Sequence, residues 1–262
     1  MLNIALTIAI LLTSLIIHEY AHVFAVRFLG GKVERMGIFP LGFFAKVRRL
    51  EGLCGWERYV IFAAGPAANF AVAIWAIIVS RVSYVGVEWL DTLAFYNVVL
   101  GVFNLTPTLP LDGGRIALQF LGNCIGILRA SRVIKRLGIF VAWVFIGLGV
   151  VQMVLFPFNI TLFCAGVFLR HKNKNIAPEL QAAFYAALSG KSLRARTLPI
   201  KEVLVPPETE IKHALERLAG DYFIVFRIDE KKRPLREQTL LEYVFKNGMA
   251  GTVGEVLGLQ AP

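Results

Sequence analysis

The chain has 262 residues, of which 56% are apolar and 18% charged, and a formal net charge of +10; its mean hydropathy is +0.63. That composition excludes an ordinary soluble domain. The cations sit beside apolar segments, as in the cytoplasmic loops of membrane proteins, so a lipid bilayer accounts for them and a nucleic-acid partner is set aside. Nearly all of the apolar excess precedes Arg170. Residues 1–170 read as membrane-embedded, 171–196 as a basic linker and 197–262 as a separate cytoplasmic domain. Cys54, Cys124 and Cys164 are widely spaced and form no CxxC pattern, which argues against a disulfide scaffold. The N-terminus lacks a basic n-region and a small-residue cleavage site, so its apolar segment reads as retained.

Taken in chain order, apolar stretches cover 2–29, 59–79, 89–105, 137–156 and 158–169. A bilayer crossing takes roughly twenty residues, so the first four fit, and the fifth is short. The expectation is an α-helical polytopic protein of about five transmembrane helices. The connecting loops alternate in charge. Lys32, Arg35, Lys46, Arg48, Arg49 and Arg58 lie between the first two spans, and Arg115, Arg129, Arg132, Lys135 and Arg136 follow the third. The intervening loops carry almost no cations. The positive-inside rule then puts the N-terminus outside and the C-terminal domain in the cytoplasm.

Within the first span stand His18, Glu19 and His22, as His-Glu-Tyr-Ala-His. Histidines four apart project from one helical face and can share a Zn²⁺ ion, with the intervening carboxylate placed as general base. Three ionisable groups on one intramembrane turn are costly, which makes a functional reading the default. A hydrolytic zinc site needs a third ligand and an open position. Asp112 supplies it, in Asn-Leu-Thr-Pro-Thr-Leu-Pro-Leu-Asp-Gly-Gly over 104–114. Pro107 and Pro110 break a helix there, and irregular backbone at membrane depth is tolerated inside protein or beside a watery cavity. Gly113 and Gly114 permit a tight turn that aims the carboxylate at the first span. Asn104 can donate to substrate backbone or to a developing oxyanion, or bond a neighbouring helix. Gly65-Pro66-Ala67-Ala68-Asn69 offers small residues and a kink, a packing role against the zinc helix.

These motifs, in order, resemble the site-2 protease family of intramembrane zinc metalloproteases, over about residues 2–136. The resemblance implies one Zn²⁺ per chain held by His18, His22 and Asp112, with Glu19 as base, in an active site open to the cytoplasm. It also implies a strand-forming re-entrant loop after the zinc helix, which the stretch 37–47 suits. Within the family the chain is similar to the sporulation branch, whose members combine a compact core with one C-terminal CBS motif. Those relatives commonly carry a further apolar segment before the zinc helix, and here the chain starts almost within that helix. The branch implies a membrane-tethered pro-sigma factor as substrate, in a bacterial cell or forespore membrane; the broader family also admits an anti-sigma factor or other membrane peptide. Inhibitory membrane partner proteins are implied as well.

From Thr197 the pattern becomes strand, helix, strand, turn, helix. Strands are expected at 200–205 and 222–228, with helices capped by Thr209 and Thr239. That order is similar to a CBS motif in a small α/β domain. CBS motifs pair, implying a homo-oligomer and an adenine nucleotide. A channel or transporter with a regulatory module is the competing class. It calls for an internal repeat together with polar residues on several spans, and the sequence shows no such repeat.

Overall fold

A computed structural model describes residues 4–39, 42–48, 55–82, 88–156, 160–176, 199–218, 222–228 and 234–258; of 32–39 and 42–48 it describes the backbone alone. The chain divides into two compact units. The first comprises 1–117 and 134–176, the second 118–133 and 177–262.

In the first unit, α1 (Ile4–Phe28) is predominantly apolar, as a membrane-crossing helix is, with Ser14 and His18 among its buried residues. A hairpin of β1 (Lys32–Phe39) and β2 (Gly42–Arg48) follows, antiparallel with Phe39 opposite Gly42. Strands thus form where the loop after the zinc helix was expected to make them. Next come α2 (Gly55–Val82) and α3 (Glu88–Asn104). An irregular turn over 105–111 leads into α4 (Asp112–Ile125), then α5 (Ile127–Leu155) and α6 (Thr161–Lys174).

Three described helices, α1, α2 and α5, are long and apolar enough to cross a membrane. This corrects the expectation of about five spans. The third expected span is α3, 17 residues long and opening on Glu88 and Asp91; at about 1.5 Å per residue it reaches roughly 26 Å, short of a 30 Å hydrocarbon core. The fifth is α6, of 14 residues, whose last turn is basic.

Outward side chains such as Phe24, Phe28, Trp75, Phe140 and Val154 are exposed. Polar groups face inward instead. The Asn97 amide donates to Ser14 Oγ on α1 at 2.8 Å and to Leu93 O at 2.9 Å, and both side chains are fully buried. Glycine lets helices meet: a Cβ on Gly166 would fall 2.7 Å from Ile146 N, so α6 lies directly against α5.

The second unit holds β3 (Ile200–Leu204), α7 (Ile211–Leu215), β4 (Phe223–Arg227), β5 (Leu235–Arg236), α8 (Glu237–Asn247) and α9 (Val253–Val256). Strand β4 is central, parallel to β3 and antiparallel to β5. The parallel pair requires a crossover, which α7 provides. Ile211, Leu218, Ile224, Phe226 and Leu240 fill its core. The helix caps differ from expectation. Glu210 precedes α7 where Thr209 was expected, and α8 begins at Glu237, two residues before Thr239. Glu237 is buried and accepts the Ile224 amide at 3.0 Å, and that bond fixes the start of the helix against β4.

Residues 118–133 belong to this unit through specific contacts. Ile127 N donates to Leu218 O at 2.9 Å, and Tyr222 Oη to Asn123 O at 3.0 Å. Gly126, at φ +87°, is the joint between α4 and α5, and a Cβ there would run into Glu216 O. The Glu216 carboxylate accepts from Arg129 Nε at 3.0 Å and pairs with Arg132.

Candidate metal centre

Helix α1 presents His18 and His22 on one face because one helical turn separates them. Both imidazole Nε2 atoms converge on a single carboxylate oxygen, Asp112 Oδ2, each at 3.1 Å, and lie 3.2 Å from each other. His18 and Asp112 are buried, and His22 is nearly so. Among the described residues these three form the group able to hold a metal ion.

The donor chemistry explains why a cation belongs there. His22 Nδ1 stands 2.7 Å from Ile61 O, and a carbonyl only accepts, so Nδ1 carries the proton. In a neutral imidazole Nε2 is then a lone pair, directed at an anionic oxygen. Burying these donors face to face is unfavourable unless a positive charge lies between them. Ligands bound to zinc at about 2.0–2.1 Å in tetrahedral array stand roughly 3.3 Å apart, close to the separations here.

Helix α2 completes the site in two ways that the sequence reading assigned to packing. A Cβ on Gly65 would strike His22 Nε2 and fall 2.6 Å from His18 Nε2, so glycine alone leaves the histidines their space. Four residues on, the buried Asn69 amide lies 3.2 Å from His18 Nδ1. Among the described residues Asn69 Oδ1 has no hydrogen-bond partner as the amide stands. With the amide turned so that Oδ1 faces His18, it accepts the Nδ1 proton, and Nε2 is freed as a donor to metal.

Asp112 opens α4, and its second oxygen lies 3.8 Å from Arg115 Nη1 one turn on. Arg115 also rests over the Phe62 ring at 5.8 Å. Gly113 and Gly114 act differently from expectation. Both lie within α4, where no left-handed φ is needed. They are required for close approach: a Cβ on Gly113 would meet Leu105 O, and one on Gly114 the Thr108 carbonyl. Glu19 is half-buried and interacts electrostatically with His18, His22, Asp112 and Arg115. Asn104 ends α3, and its amide donates to Leu100 O at 3.0 Å within its own helix.

Helices apolar enough to cross a membrane, with two histidines and an aspartate around one point, define a membrane protein of metal-binding class. The model of peptidase family M50 matches residues 6–91 and 86–149, more than half of the chain, and the chain belongs to that family. A zinc metalloprotease of Methanocaldococcus jannaschii is 27% identical over 226 residues, 84% of this chain and 62% of its own length. Stage IV sporulation protein FB of Bacillus subtilis is 25% identical over 123 residues, 47% of this chain and 43% of its own. The chain thus spans less than two thirds of these curated relatives. Among solved structures, a site-2 protease from M. jannaschii superposes with a TM-score of 0.53 at 28% identity, covering 65% of this chain and 77% of that one.

Proposed function

We propose that the protein is an intramembrane zinc metalloendopeptidase of the site-2 type that cleaves a membrane-associated protein. The convergence of His18 Nε2, His22 Nε2 and Asp112 Oδ2 carries this reading. These side chains would hold one zinc ion. When bound there, zinc supplies Lewis acidity, which polarises a peptide carbonyl and makes water a nucleophile near neutral pH. The Glu19 carboxylate would accept a proton from water and pass it to the departing amine. Ile61 O and Asn69 hold the two imidazoles in the tautomer that keeps Nε2 free. Asn104 donates to substrate backbone or oxyanion by exchanging its bond to Leu100 O for one to the substrate. The β1–β2 hairpin offers an edge on which an unwound substrate can add as a strand, since a helical substrate must free its carbonyls before cleavage.

The substrate class we propose is a membrane-tethered pro-sigma factor cut during sporulation. The similarity to stage IV sporulation protein FB supports it. Loop charges support an active site and C-terminal domain facing the cytoplasm of a bacterial cell or forespore. The β3-α7-β4 unit followed by α8 supports a CBS-like reading of the C-terminal domain. With it go homo-oligomerisation, an adenine nucleotide and inhibitory membrane partners as further proposals. Co-expression with candidate precursors tests the whole: the native chain yields a shortened product and Glu19→Gln yields none. Equal cleavage by both would remove Glu19 as the base.

A further inference from the structure

The turn that carries Asp112 has too few donors of its own. Pro107 and Pro110 contribute carbonyls but no N–H groups. At membrane depth water does not make up the shortfall unless a cavity admits it. A residue far along the chain does. Asn173, on the last turn of α6 and fully buried, directs its amide nitrogen at Leu109 O (2.9 Å), Thr108 Oγ1 (3.0 Å) and Leu169 O of its own helix (2.9 Å). Thr108 is also fully buried. Helix α5 makes room for the pair with Gly138, where a Cβ would collide with Asn173 Oδ1 and stand 2.6 Å from Thr108 Oγ1. Beneath this polar contact, Leu111 packs with Leu169 and Ala142. The turn is therefore anchored to α6 by donors on one side and by apolar contact on the other, immediately before the Asp112 carboxylate.

We propose that Asn173 is a positioning residue for the Asp112 ligand, fixing the 105–111 turn through Thr108 Oγ1 and Leu109 O. The proposal rests on the zinc reading above. Asn173 touches neither substrate nor metal. Its effect comes through the placement of one carboxylate oxygen, and sites of this kind need their ligands held within about 0.5 Å. In the sequence it is an unremarked polar residue between Lys172 and Lys174, in the stretch read as linker. Nothing local marks it, because its partners lie 64 and 65 positions earlier.

The test uses the purified full chain in detergent, stripped with chelator. Co²⁺ is titrated in and its visible ligand-field spectrum followed, and Zn²⁺ affinity is measured against a chromogenic chelator. Asn173→Ala is expected to bind Zn²⁺ about tenfold or more weakly, the usual size for loss of an outer support, with an altered Co²⁺ spectrum. Leu90→Ala, which removes core packing among Ile10, Leu93 and Ala94, is expected to lower thermal stability while leaving affinity and spectrum as in the native chain. Should Asn173→Ala not accumulate, Thr108→Val removes one acceptor at nearly constant shape. It is expected to weaken Zn²⁺ binding about threefold, the worth of one neutral hydrogen bond. Native affinity and spectrum in the accumulating variant would overturn the proposal. A native chain whose Co²⁺ spectrum does not depend on His18 would instead defeat the zinc reading itself.

Discussion

Gly65 on α2 and His22 on α1 lie so close that a single methyl group on the glycine would occupy the space of His22 Nε2. The same methyl would fall 2.6 Å from His18 Nε2. The glycine is thus part of the metal centre by virtue of what it lacks. Gly65→Ala should leave the helices assembled but turn one or both imidazoles away, lowering zinc affinity about tenfold or more. Zinc content after gel filtration, set beside the melting profile, separates loss of metal from loss of fold.

Asn69 offers a milder version of the same test. Asn69→Leu keeps much of the volume and removes the group facing His18 Nδ1. Zinc affinity, read by chelator competition, should fall roughly 10–100-fold, the range for lost outer-shell hydrogen bonds. Asn69→Asp retains an oxygen acceptor for the Nδ1 proton and should fall less.

The buried bond between Asn97 and Ser14 ties α3 to α1 one turn before His18. Interhelical hydrogen bonds in membranes contribute about 0.6 kcal/mol on average. Ser14→Ala should therefore shift stability by about that much, measured by denaturation in detergent, and leave turnover intact. A collapse of the fold would show that the contact carries more than its geometry indicates.

In the C-terminal unit, the Arg129 hydrogen bond and the nearby Arg132 charge hold the Glu216 carboxyl below the usual glutamate range, against the opposing effect of partial burial. A carboxyl lowered on folding adds stability above its ordinary pKa, and that contribution is lost as pH falls through the lowered value. Glu216→Gln should speed hydrogen exchange at the Ile127 amide, which donates to Leu218 O, at pH 7. As pH falls through the lowered value the native chain should approach the variant. A constant gap at every pH would place the effect elsewhere.

The sequence made the ligands legible and their supports much less so. His18, Glu19 and His22 announce themselves because helical spacing alone puts the histidines on one face, and Asp112 because prolines and glycines surround it. Gly65 and Asn69 were visible as a motif, yet packing explains small residues equally well in a membrane helix. Only in the folded chain do the imidazoles lie against them. Gly113 and Gly114 suggested a tight turn, whereas a close approach to Leu105 and Thr108 demands them. Asn173 gave no local signal, since its partners lie 64 and 65 positions earlier; Arg115, three residues after Asp112, read only as a loop charge. Apolar runs alone suggest spans at α3 and α6, whereas the helices there are 17 and 14 residues long, with acidic residues opening α3 and basic ones closing α6.

Zinc-edge X-ray absorption on the purified full chain tests the central claim most directly. Two imidazole nitrogens and a carboxylate oxygen are expected at about 2.0–2.2 Å, with one nitrogen lost in His22→Ala and the carboxylate lost in Asp112→Ala. A shell containing sulfur, or one unchanged by both substitutions, would contradict it.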